Sequence, residues 1–207
     1  MGYITYGAAR CSLCHLMGAN HQIRETQRSR FRAMLFIAEM SARAGDGAGQ
    51  IIMHGSNNQK FMIGALIAGA TTIVACSGNH DNFAPMITAA AHLGYAMAGY
   101  RAPPFATRGG GTVSLVEAGA AHAGGNAPQP GRCAAPKMIL EAFSRNLHLN
   151  DAWRQWEMSE VFFQPSTSRR TTEINSNFPP IYDHGLSQRH CATCNTLVPM
   201  LMCGQRA

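Results

Sequence analysis

Lysine is nearly missing from this chain: Lys60 and Lys137 are the only two among 17 basic residues, and the rest are arginine. Charged side chains of both signs make up only 14% of the 207 residues, yet the formal net charge is +6. An arginine-dominated cationic balance suits a polyanionic partner, because guanidinium groups bond phosphates in pairs and stack on bases. An arginine-biased genome would leave the same mark. A long apolar run is lacking too. The longest, Phe61 to Cys76, is broken by Gly64, Gly69 and two threonines, and reads as two strands and a turn rather than a bilayer span. The N-terminal Met1-Gly2-Tyr3-Ile4-Thr5-Tyr6 has no basic-then-apolar leader layout, and Tyr6 occupies the Ser/Thr position of a myristoylation motif. These absences predict a soluble protein, and no internal repeat of useful length is visible.

The apolar fraction of 46% argues for a globular chain, long enough for one domain with a proper core but cramped for two. Seven cysteines, Cys11, Cys14, Cys76, Cys133, Cys191, Cys194 and Cys203, form an odd set with no leader, which argues against a disulfide framework. Two C-x-x-C pairs point to metal or redox chemistry instead.

Hydrophobic periodicity predicts a helix from about Gln22 to Arg43, ended by the Gly45–Gly49 stretch, and a short strand at Gln50–His54. Met62–Ile67 and Thr71–Cys76 read as a hairpin around Ala68-Gly69-Ala70. A helix over Phe83–Leu93 follows Ser77-Gly78-Asn79-His80. Ala102 to Gly131, rich in Gly, Ala and Pro, reads as a long ordered loop or a weakly structured insert. Pro136–Leu147 then reads as a helix, Ser159–Gln164 as a strand, Pro165–Arg189 as a polar connection, and Cys191 to about Met202 as a second helix. The expected division is an N-terminal helical extension over 1–49, joined compactly to a main domain over 50–207.

Cys133 lies at the start of one predicted helix, and Cys191 and Cys194 in the first turn of another. Helix N-termini favour thiolates, and three thiolates from two such ends leave a fourth zinc position open for water, the arrangement of a catalytic site. The residues Gly131-Arg132-Cys133-Ala134-Ala135-Pro136-Lys137, with His190-Cys191-Ala192-Thr193-Cys194 and Leu197-Val198-Pro199, resemble the cytidine-deaminase-like fold. Within it, the nearest likeness is to bacterial polymorphic-toxin deaminases that use Cys where others use His. The likeness covers roughly Met62 to Cys203, its specific part being the two motif helices.

The resemblance implies an α/β fold: a mixed sheet with the two zinc-binding helices packed on one face. It implies Zn²⁺ on Cys133, Cys191 and Cys194, and a backbone N–H from Ala134 to the carbonyl of the base. The parent reaction is hydrolytic deamination of cytosine to uracil in DNA, single-stranded and also, by way of the long loops, double-stranded; RNA and free nucleosides are the alternatives. Ala135 stands where the family has the glutamate that moves protons between water, ring nitrogen and leaving ammonia. The chain is therefore expected to hold zinc and substrate but to turn over very little. Two origins of that alanine stay open, an engineered inactivation and a natural non-catalytic zinc- and nucleic-acid-binding pseudoenzyme. Asn79 and His80 resemble a position that meets the target nucleotide, and Arg169, Arg170 and Tyr182 suit an extruded base. A toxin origin would imply an immunity protein as partner, action in a target cell's cytoplasm, and no membrane. Two departures stand out: the family continues past the C-x-x-C helix with further strands, and the 165–189 connection is longer than usual.

Cys11-Ser12-Leu13-Cys14-His15 matches a c-type haem attachment pattern, but a single copy without an export signal is a common accident, and Met17 is too near to be an axial ligand. A small zinc site using Cys11, Cys14 and a nearby His is an alternative to unpaired thiols. Cys76 and Cys203 are expected to pack as small apolar residues, and Trp153 and Trp156 to belong to the core or an interface rather than a base platform.

Overall fold

A computed structural model describes residues 3–43, 61–79, 81–119, 130–163, 187 and 191–205. The sequence expectations for Gln50–His54, His80, Arg169, Arg170 and Tyr182 fall outside them.

The centre of the molecule is the expected hairpin, whose strands are flanked by shorter ones. In chain order the strands are β1 (Thr5–Tyr6), β2 (Ile23–Arg24), β3 (Phe61–Ala68), β4 (Thr71–Cys76), β5 (Ala96–Met97), β6 (Phe105–Ala106), β7 (Thr112–Val113) and β8 (Glu157–Phe163). Six of them form one mixed sheet in the order β1-β2-β8-β3-β4-β5, while β6 and β7 make a separate two-stranded ribbon. β3 lies antiparallel between β4 and β8, with Ile63 opposite Cys76 on one side and Gly64 opposite Glu160 on the other. The outer pairings β2–β8 and β4–β5 are parallel. The helices are α1 (Gln27–Arg43), α2 (Ala84–His92), α3 (Leu115–Gly119), α4 (Ala134–Ser144) and α5 (Ala192–Leu201).

Alternation along the strands divides the core in two, because successive side chains point to opposite sheet faces. Ile63, Ala65, Val74, Cys76, Val161 and Phe163 join α1 and α2 in one layer. Leu66, Ile73, Ala75 and Met158 face the other way and share a layer with α4 and α5. Both motif helices therefore lie on one side, with α5 packed on α4. Trp153 and Trp156 are buried in this layer.

Gly64 sets how closely α4 approaches the sheet. A Cβ there would stand 2.4 Å from Met138 Cε, the end of a flexible side chain, and 3.1 Å from Ala134 Cβ, so even alanine would require both to give way.

Two expectations are corrected. The helix expected from Gln22 begins at Gln27, because Ile23 and Arg24 pair as a strand with Thr5 and Tyr6. Thr26 then caps it: the Thr26 N–H donates to Ser29 Oγ at 3.0 Å, and the Ser29 N–H donates back to Thr26 Oγ1 at 3.1 Å. The Gly/Ala/Pro-rich insert holds the β6–β7 ribbon and α3 among its described residues. Among the described residues, β1 and β5 are the outermost strands of the sheet. No helix among the described residues is long and apolar enough to cross a membrane.

Candidate metal centre

Cys133 is the N-cap residue of α4 and Cys191 that of α5, both in extended conformation and neither side chain spent on capping the helix. Cys194 lies one turn into α5. Because α4 and α5 start side by side, the three thiols converge: their sulfurs lie within 4.8 Å of one another, with Cys133 and Cys191 Sγ 3.4 Å apart. Thiolates bound to one zinc at about 2.3 Å stand roughly 3.8 Å from each other in tetrahedral geometry. The three donors fit such an ion. Cys133 and Cys194 are buried and Cys191 is partly exposed.

The thiols raise one another's pKa. Cys133 is pushed well above the ordinary thiol range, first by its contact with Cys191, against the lowering effect of Cys194, with burial and the Glu160 carboxylate adding to the rise. Cys194 is raised by Cys133 and Cys191 and then by burial. A divalent cation reverses this order, since its charge outweighs the repulsion among thiolates.

Glu160 is a member of the site that sequence reading passed over as one residue of an apolar strand. It lies opposite Gly64 on the face that carries α4, is 4% exposed, and its Oε1 accepts the Ala135 N–H at 2.9 Å. This caps a helix whose own N-cap residue is a cysteine. The Glu160 N–H in turn donates to Tyr6 Oη at 2.8 Å. Burial, and next the Glu160 charge, raise the Tyr6 phenol well above its usual range.

Lys137 is the second such anchor. Fully buried, its Nζ donates to the carbonyls of Cys76 and Gly78, each at 2.8 Å, and to Asp81 Oδ1 at 2.6 Å. It thereby ties the end of β4 and the loop beyond it to α4. Asn79 stands on that loop and accepts a hydrogen bond from Arg132, whose guanidinium lies 4.4 Å from the Tyr100 ring centre. The fold thus brings Asn79 beside Arg132, the residue preceding Cys133. Ala134 and Ala135 are both fully buried in the first turn of α4.

A second group of donors lies elsewhere. Cys11, Cys14, His21 and Cys203 also have their ligand atoms within 4.8 Å of one another. Both clusters could hold a metal ion. Cys203, expected only to pack, is therefore one of a set, while His15 is exposed and His21 supplies the ring. No signal in sequence spacing links Cys203 to Cys11, because the sheet and α5 bring them together. Compared with protein-family profiles, characterised proteins and solved structures, the chain finds no match, so its site is read from its own geometry.

Proposed function

We propose that this chain carries the zinc site of a nucleic-acid cytosine deaminase, with Ala135 in place of the proton-transferring glutamate. The observation that carries the reading is the convergence of Cys133, Cys191 and Cys194 at the starts of two adjacent helices, three donors with one of them partly exposed. The element order of hairpin, helix, strand, helix and the central position of β3 agree with a deaminase-like arrangement.

A zinc ion held by the three cysteines would lower the pKa of a coordinated water to about 7 and so supply a nucleophile at neutral pH. The protein's own part is positional. Glu160 and Lys137 fix the first turn of α4 against the sheet, and Lys137 also fixes the loop bearing Asn79. Asn79 and Arg132 supply an amide and a cation for a nucleotide, and Tyr100 a ring under the cation. The arginine-rich net charge of +6 favours a polynucleotide over a free nucleoside. A single-stranded target spares the cost, a few kcal/mol, of extruding a base from a duplex. With alanine at 135 no side chain there can carry a proton, so turnover is expected to be very low. A glutamate at 135 would stand in the first turn of α4, whose Ala135 amide Glu160 already holds, and would supply the proton-carrying group that alanine lacks.

The test is uracil formation in single- and double-stranded DNA by Ala135→Glu, with the present chain as control and zinc measured on both. Uracil from the glutamate form alone, with zinc on both proteins, supports the reading. Zinc without uracil from either protein, on DNA, RNA or nucleoside, leaves the pseudoenzyme. No zinc sensitive to Cys133→Ser defeats both.

A further inference from the structure

The Cys11–Cys14–His21–Cys203 cluster belongs to none of the chemistry above, and its donor set differs in kind. Cys11, His21 and Cys203 are buried and Cys14 partly so. Three sulfurs and one imidazole make four protein ligands, enough to close a tetrahedral shell with no position left for water. Cys14 Sγ stands 3.3 Å from His21 Nε2, close to the roughly 3.6 Å expected of a thiolate and an imidazole on one zinc.

Three further observations point to a ligand. First, the His21 ring is 2% exposed, its Nε2 faces a thiol, and its Nδ1 has no hydrogen-bond partner among the described residues. Burial of an imidazole so poorly satisfied is costly unless the ring binds something. Second, the segment around the cysteine pair folds as a tight turn. The His15 N–H bonds the Cys11 carbonyl at 2.8 Å and the Cys11 N–H bonds the Leu16 carbonyl at 3.0 Å, and the turn holds both sulfurs within 4.8 Å of the His21 ring nitrogen and of Cys203 Sγ. Third, three thiolates and a divalent cation carry a net charge of −1, and a cation is in place. Arg108 is held by the Met202 carbonyl at 2.8 Å and stacks 3.9 Å from the Trp153 ring centre, beside His21 and Cys203. A cavity of about 240 Å³ adjoins Cys14, His21 and Cys203 and gives an ion a way in.

We infer that Cys11, Cys14, His21 and Cys203 form a second, structural zinc site that fastens the segment before β2 to the end of α5. Softness selects the metal: a thiolate-rich tetrahedral set favours zinc over calcium, magnesium or manganese. Gly7 serves the same junction, since its φ is +75° and a Cβ there would stand 2.1 Å from the His21 carbonyl oxygen. Only glycine lets β1 turn so closely around the ring-bearing segment.

The experiment measures zinc per chain in the parent, in Cys203→Ser and in Cys133→Ser. The expectation is two equivalents in the parent and one in each variant. One equivalent that survives Cys133→Ser but not Cys203→Ser keeps this site and sinks the deaminase centre. No zinc, or a single equivalent lost only with Cys133→Ser, overturns the inference. Should a variant fail to fold, iodoacetamide labelling of the intact chain, mapped by peptide mass before and after chelation, answers instead. Protection of Cys14 that disappears on chelation upholds the site; equal labelling before and after, or a Cys11–Cys14 disulfide, refutes it.

Discussion

Replacing Lys137 by methionine removes the only ammonium that the core encloses among the described residues. Methionine fills nearly the same volume, so little cavity opens, and what is lost is three charge-assisted hydrogen bonds. Bonds to charged groups contribute about 1.5–3 kcal/mol each, yet they are not additive, and breaking a buried ion pair by removing one partner costs about 3–5 kcal/mol. Asp81 is one-fifth exposed and recovers part of its hydration, which places the cost near the lower bound, about 3 kcal/mol. For a chain of this size each kcal/mol moves Tm by about 2–4 °C, so Lys137→Met should melt roughly 6–12 °C below the parent. Asp81→Asn keeps a hydrogen-bond acceptor but leaves the fully buried Lys137 ammonium without its counter-charge, and should lower the melting temperature by at least as much. Calorimetry on both variants, with zinc content equalised, makes the comparison. A Lys137→Met protein melting within about 1 °C of the parent would show that Lys137 does not anchor the loop carrying Asn79.

Two other outcomes follow from the buried carboxylates. Glu160→Ala strips the Ala135 N–H of its acceptor and should cost about 1–3 kcal/mol in urea unfolding, whereas Glu160→Gln retains an acceptor oxygen and should cost clearly less; equal losses would mean the bond to α4 is unimportant. Burial works to raise the Glu25 carboxyl, but hydrogen bonds from Arg30, Ser159 and the Ile4 amide outweigh it and hold its pKa below the usual value. Its stabilisation is therefore complete above the unfolded pKa of about 4.3 and lost as pH falls through the lower folded value. The stability gap between parent and Glu25→Gln should accordingly be wide at pH 7 and close below about pH 4; a gap that widens on acidification would reverse the sign of this argument.

Local pattern made much of this fold legible. The β3–β4 hairpin followed from two β-branched runs around Gly69; the helix read over Pro136–Leu147 is α4, which starts two residues earlier, and the one read from Cys191 is α5. The three sulfurs of the first cluster could be grouped because each sits at a helix start. What could not be read depends on long-range pairing. Ile23 has the same apolar character whether it opens a helix or joins β2, and only its partner Tyr6 decides. Glu160 is the one charge in the mostly apolar stretch 158–163 of β8, and its role appears only when Gly64 admits α4 beside it. Cys203 acquires neighbours solely through the return of the chain across β2 and α5.

Helix α5 carries a cysteine pair at its start and Cys203 two residues past its end, so its 10 residues span both clusters, roughly 15 Å apart by helical rise. A rod pinned at one end has less freedom left to lose at the other. Filling either cluster therefore lowers the entropy cost of ordering the opposite one, and linkage makes the benefit reciprocal. Metal loading would then proceed cooperatively along a single helix, and a chelator that empties the Cys11–Cys14–His21–Cys203 cluster would loosen the grip of Cys133, Cys191 and Cys194 without touching them.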